Sequence, residues 1–160
     1  MTSDQIIQLL DLKPHPEGGY YRETYRSPGQ ILKTGDGRPE RPFSTCIYYL
    51  LTHGTVSKFH RLSSDEIFHF YSGDPVTWVL LGAAGKTEKR VLGSPVKGHL
   101  AQLVVPAGTW FGGFLNEGGD HALMGTTVAP GFEFSDFELA GREKLLAEFP
   151  HDQEDILRLT

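Results

Sequence analysis

Hydrophobic positions along the chain fall into short runs in which apolar and polar residues often alternate. The runs are YYRETY (20–25), STCIYYLL (44–51), SKFHRL (57–62), EIFHFY (66–71) and VTWVLL (76–81). KRVL (89–92), LAQLVV (100–105), TWFGGFL (109–115) and ALMGTTV (122–128) follow. They are rich in β-branched and aromatic residues and end in Gly, Pro, Ser or Asp, as half-buried strands do. About nine such runs at a spacing of roughly ten residues predict an all-β sandwich or barrel. Helical periodicity is confined to the ends. Residues 3–10 carry Ile6, Ile7, Leu9 and Leu10 on one side, with Thr2 and Gln5 placed for a capping box. Near the C-terminus REKLLAEFP and DQEDILRL put Leu145, Leu146, Phe149, Ile156 and Leu159 on apolar faces. KPHPEGG (13–19) is punctuated by Pro and Gly and reads as an irregular loop. GQILKTGDGRPERP (29–42) reads as an exposed, mobile one. No repeat or low-complexity tract divides the chain, so residues 1–160 are expected to form one domain.

Composition narrows the function classes. The 160 residues are 39% hydrophobic, enough for a single core. The 19 Gly and 10 Pro are spread along the chain, as turn residues between short strands would be. Net charge is −5, and Lys and Arg are scattered, so no basic patch for nucleic acid or a membrane surface is expected. MTSDQIIQLLDLK has neither a basic start nor a long apolar run, and no segment approaches a membrane span. The single cysteine, Cys46, lies in an apolar run and reads as a buried inert thiol. No disulfide can form within one chain, which fits a reducing compartment. The expectation is a cytoplasmic protein.

The stretch GTVSKFHRLSSDEIFHFYSG (54–73) carries the candidate chemistry. Gly54, His60, Leu62, Glu66 and Gly73 follow the spacing of the first cupin motif, whose second His falls on Leu62. PAGTWF, with Pro106, Gly108 and Phe111, matches part of the second motif, whose His falls on Phe111. HPEGGYYRETYRS, SSDEIFHFYSGDP, VPAGTWFGG and VAPGFEFSDFELA extend the likeness over nearly the full length. The chain thus resembles a group of small single-domain cupins of unknown function, related in fold to the sugar-nucleotide epimerases. The resemblance implies a double-stranded β-helix, a jelly-roll barrel with short N- and C-terminal helices. It also implies a homodimer, in which residues near 20–25 and 44–51 are expected to contribute. It does not supply a reaction.

A cupin metal site takes three imidazoles and one carboxylate. With Leu62 and Phe111 at two of those positions, only His60 and Glu66 remain as ligands, and two protein ligands rarely hold a metal tightly. No cofactor is therefore expected. Strand alternation puts Lys58, His60 and Leu62 on one face, and Glu66, Phe68 and Phe70 on another, with His69 turned away. His60 is read as a general base, Glu66 as the carboxylate that orients it, and Lys58 as a cation stabilising developing negative charge. Tyr21 and Glu23 share a face with Tyr25, while Tyr20, Arg22 and Thr24 share the other. Tyr21, Glu23 and Tyr49 are candidate polar contacts to a small-molecule ligand. Phe68, Phe70 and Phe111 are candidate apolar walls, although core packing suits them equally. His15, His53, His99, His121 and His151 sit in turn-like contexts and read as surface residues. Asp136, Glu138 and Glu143 read as acidic residues opening the final helices. Gly112 and Gly113 read as a bulge or a close backbone approach.

Three functions stay open. One is a metal-independent isomerase or epimerase acting on a sugar or sugar nucleotide. The second is a non-catalytic ligand-binding module. The third is a metal-dependent cupin enzyme with an atypical ligand set.

Overall fold

In the computed structural model, residues 1–31, 40–82 and 86–160 are described. Thr2 caps α1 (Ser3–Leu9) through the reciprocal bonds with Gln5 that the sequence predicts. The strands follow as β1 (Lys13–Pro14), β2 (Tyr20–Arg26), β3 (Gln30–Ile31), β4 (Arg41–Pro42), β5 (Thr45–Thr52), β6 (Val56–Arg61) and β7 (Asp65–Gly73). Then come β8 (Val76–Leu80), β9 (Glu88–Leu92), β10 (Gln102–Val105), β11 (Phe111–Leu115), β12 (His121–Ala129) and β13 (Glu138–Leu139). Two helices close the chain, α2 (Arg142–Glu148) and α3 (Gln153–Arg158). The expected loop at 29–42 falls mostly on 32–39, outside the described residues, and its flanks pair as the β3–β4 ribbon.

Two antiparallel sheets face each other, one in the order β1-β2-β5-β12-β7-β10 and the other β13-β6-β11-β8-β9. Their inner faces supply Tyr49, Phe68, Trp78, Phe111 and Met124 to the central core. The outer face of the second sheet is covered by α2 and α3 through Leu145, Ile156 and Leu159, which pack on Phe59, Val79 and Trp110. α1 covers part of the other outer face, with Ile6 and Leu12 against Leu50. Leu9, expected on the apolar side of α1, is exposed, because Ile6, Ile7 and Leu10 already face the sheet.

Two local insertions decide what the inner faces present. Between β6 and β11, Phe111 pairs with His60 and Gly113 with Ser57, so two residues of β6 oppose Gly112 alone. A Cβ on Gly112 would lie 2.9 Å from the Ser57 carbonyl oxygen, and one on Gly113 would lie 2.7 Å from Trp78, so both glycines are close approaches. Between β2 and β5, Glu23 pairs with Ile47 and Tyr25 with Cys46, which leaves Thr24 as the extra residue. Each bulge reverses the alternation beyond it.

Candidate active site

The cup opens between β2, β5, β12 and β7 on one side and β6 on the other. Its cavity is about 290 Å³. Alternation supplies the lining in pairs: Tyr21 and Glu23, Ile47 and Tyr49, Thr126 and Val128, His60 and Leu62. Glu66 joins them from β7, where it pairs with Val128. The segment 130–137 crosses the mouth with Phe132, Phe134 and Phe137. It is tied down by the Phe132 amide donating to Thr45 Oγ1 (2.9 Å), by Glu133 on Arg26 (2.7 Å) and by the buried Arg41–Asp136 ion pair (2.7 Å).

The loop before β2 brings the residues that the strand pattern does not show. His15, Glu17 and the Gly18–Gly19 turn fold over the end of the barrel. The Glu17 carbonyl accepts from the Lys58 amide (2.8 Å), and the Gly18 carbonyl accepts from the Tyr49 hydroxyl (2.9 Å). Gly18 has φ +114° and lies so close to Val56 that a Cβ would meet its carbonyl oxygen, so no other residue fits there. This docking buries the Glu17 carboxylate. Oε1 accepts from Ser57 Oγ at 3.0 Å, and Oε2 lies 3.1 Å from His60 Nε2 and 3.4 Å from His15 Nδ1.

The tautomer of His60 follows from its other nitrogen. Nδ1 lies 2.7 Å from the Lys58 carbonyl, which can only accept, so Nδ1 carries a proton. Nε2 faces Glu17 Oε2, where a proton on the ring would be donated to the carboxylate. His15 accepts the Glu17 amide on Nδ1 (3.3 Å), and burial lowers its pKa despite the neighbouring Glu17, so it is a neutral imidazole. Glu66 differs from Glu17. It is 7% exposed, and Oε2 has no hydrogen-bond partner. Burial first, then repulsion from Glu17, pushes its pKa up to about 8, with a bond from Thr126 pulling the other way. At neutral pH Glu66 is a carboxylic acid. Burial also holds the Tyr49 phenol well above its usual pKa.

Several expectations are corrected here. Lys58 is exposed, because the β6 bulge places Ser57 rather than Lys58 on the inner face with His60. Glu66 does not orient His60; Glu17 does, from a loop. Phe68 and Phe111 are 1% exposed and belong to the core, with Phe111 packed at 4.1 Å on the His60 ring, and Phe70 packs against that core. They support the floor rather than line the cavity. His15, read as a surface residue, has a side chain only 7% exposed. Tyr25 is 52% exposed, since the β2 bulge turns Arg26 inward in its place. Tyr21, Glu23, Tyr49, His60 and Glu66 do line the cavity. His69 faces outward onto Thr127 and Gln102. Cys46 is half-buried rather than fully buried, with Sγ 3.6 Å from Thr127 Oγ1. Glu17 was legible only as a carboxylate next to a His in HPEGG, a stretch whose Pro and Gly content reads as loop.

A model of the Cupin superfamily (DUF985) matches residues 4–140. The chain belongs to the cupin superfamily. Among its relatives is the uncharacterized protein YML079W of Saccharomyces cerevisiae, 36% identical over 155 residues that span 88% of this chain and 77% of that protein. Protein SO0799 from Shewanella oneidensis superposes with a TM-score of 0.89 at 37% identity, covering 100% of this cupin and 98% of that chain. A hypothetical protein from Leishmania major superposes at 0.91 and 31% identity, covering 100% and 99%. Oxalate decarboxylase from Bacillus subtilis shares the fold alone, at 15% identity and a TM-score of 0.57, covering 92% of this chain and 36% of that one. Among the described residues of this cupin, no helix is long and apolar enough to cross a membrane.

The metal of metal-binding cupins does not fit these side chains. Leu62 and Phe111 replace two imidazoles, and both His60 nitrogens are committed to Lys58 and Glu17. Among the described residues, no three His, Cys, Asp or Glu side chains are arranged to hold an ion.

Proposed function

We propose that this cupin binds a small molecule in the cup and moves a proton on it without a metal, as an isomerase or epimerase does. One observation carries this reading. A Glu17–His60 pair in contact at 3.1 Å and a protonated Glu66 with an unpartnered oxygen face the same cavity. A carboxylic acid and a carboxylate–imidazole pair facing one cavity can serve as acid and base in turn. The carbon next to a substrate carbonyl would give its proton to the Glu17–His60 pair. The electrons shift into the C–C bond, and the carbonyl oxygen, gaining charge, takes a hydrogen bond from Glu66. Return of a proton to the carbon, on either face, regenerates the pair and completes the isomerisation. Free sugars and other hydroxycarbonyl compounds have the required C–H acidity.

The test is solvent exchange. Incubation in D₂O with a panel of ketoses, aldoses and keto acids is expected to place deuterium at the carbon next to the carbonyl of at least one member. Glu17→Gln and His60→Gln are expected to remove it. Tight binding with no exchange in any member would leave a non-catalytic binding module. Exchange that needs near-stoichiometric metal in chelator-free protein would replace the reading with a metal-dependent one.

A further inference from the structure

The electrostatics of the cup bear on which ligands it admits, given the reading that it binds one. Among the described residues the lining carries carboxyls at Glu17, Glu23, Glu66 and Glu133 and one guanidinium, Arg26. That guanidinium is already spent. Its Nε and one terminal nitrogen bond Glu23 (3.0 and 2.8 Å), and the other terminal nitrogen bonds Glu133 (2.7 Å). His15 is neutral, and both nitrogens of His60 are taken by Lys58 and Glu17. Among the described residues an anionic ligand would therefore find no free cation, and would meet the carboxylates of Glu23 and Glu133 at the mouth.

The remaining surface has another character. Ile47, Leu62 and Val128 line one wall. Phe134 lies nearly parallel to the His15 ring at 6.3 Å, and the Phe137 ring stands edge-on to it at 5.8 Å. Phe134 is 54% exposed at the mouth, the position of a ring that would cover a bound molecule. Glu66 Oε2 is the one lining oxygen recorded as buried without a partner among the described residues. Leaving such an atom unpaired is costly, and a ligand acceptor would satisfy it. The cavity of about 290 Å³ is close to the foot of the range of about 300–1,000 Å³ usual for ligand sites, which suits a small ring.

We propose that the cup selects uncharged, ring-shaped molecules that present one apolar face to Phe134 and Phe137 and a hydrogen-bond acceptor to Glu66, and rejects their phosphorylated or carboxylated counterparts. The ring is either a free sugar, whose C–H face packs on aromatics, or a planar heterocycle. Sugar nucleotides are outside this class.

Matched pairs test the proposal by calorimetry: D-glucose against glucose 6-phosphate for the sugar arm, nicotinamide against nicotinate for the planar arm. The neutral member of at least one pair is expected to bind tenfold or more tighter than its anion, and the arm that binds identifies the ring. Glu66→Leu is expected to weaken that binding fivefold or more. Between pH 6 and pH 9.5 the wild type is expected to lose fivefold or more, as Glu66 ceases to donate, while Glu66→Gln changes less than twofold. Glu17, His60 and His15 also face the cavity, as do Glu23, Arg26, Glu133 and Tyr49, and the flat Glu66→Gln profile separates Glu66 from all of them. Tighter binding of the anions, or no binding of either neutral probe at millimolar concentration, overturns the proposal. So does a Glu66→Gln profile as steep as the wild type. Binding that follows the proposal without deuterium exchange in D₂O would sink the proton-transfer reading and leave this one standing.

Discussion

Replacing Glu66 by Gln changes how stability depends on pH, and the size of the change follows from the site. In the unfolded chain Glu66 titrates at its ordinary value of 4.5, and in the cup at about 8. Between these values the native protein keeps a proton that the unfolded chain has lost, so stability falls as pH rises. The loss begins near pH 4.5 and levels off above pH 8. At about 1.4 kcal/mol per pH unit, the whole interval amounts to about 5 kcal/mol, of which about 4 kcal/mol falls between pH 5 and pH 9. Gln is neutral and close in shape, so Glu66→Gln removes the slope. Urea unfolding at constant ionic strength from pH 5 to pH 9 measures it. The stability of Glu66→Gln relative to wild type is expected to rise by about 4 kcal/mol across that range. His15 contributes a slope of the opposite sign: held neutral in the fold, it costs stability as pH falls below its ordinary value of 6.5. It acts in both proteins and cancels in the difference. Parallel curves, within about 1 kcal/mol, would show that Glu66 is ionised in the fold at neutral pH. The assignment of an acid to the cup would then fail.

Other expectations are simpler to check. His60→Gln is expected to reduce turnover on any substrate found by about 10²- to 10⁴-fold while the thermal midpoint stays near that of wild type, since a positioned acid or base contributes that much; a loss of only a few-fold would remove His60 from the chemistry. Gly18→Ala forces a Cβ onto the Val56 carbonyl at φ +114° and is expected to cost about 1–3 kcal/mol in urea unfolding; an unchanged midpoint would mean that the 15–19 loop is not docked as described. Lys58→Met, at an exposed position, is expected to change stability by less than about 0.5 kcal/mol and to leave turnover unaltered. A homodimer is proposed from β2, which among the described residues is covered on its outer side only by the two-residue β1, at Tyr20 and Tyr21; light scattering that gives a mass near 17.8 kDa at micromolar concentration would refute it.

Most of the architecture was legible in the sequence, because strand identity is a local property. Period-two alternation, β-branched residues and Gly or Pro punctuation marked each of the nine runs to within a residue or two of an observed strand, and the capping box at Thr2 and Gln5 formed as written. The spacing from Gly54 to Gly73, together with the partial second motif in PAGTWF and the likeness along the rest of the chain, pointed to the cupin family. His60 and Glu66 were visible as the residues left where a metal site would be, and Tyr21, Glu23 and Tyr49 as candidate polar contacts on strands whose inward face the sequence left open. Their roles were not visible. A bulge is a fact of pairing between two strands, and a single run does not record that its partner is one residue shorter. The β6 bulge therefore exchanged Lys58 for Ser57 on the inner face, and the β2 bulge exchanged Tyr25 for Arg26. Glu17 entered the site because a loop with no periodicity of its own docks on β6 through the Lys58 amide and on β5 through the Tyr49 hydroxyl, bonds formed only in the folded chain. The state of Glu66 also belongs to the tertiary structure, since it is an ordinary glutamate until burial and repulsion from Glu17 make it keep its proton.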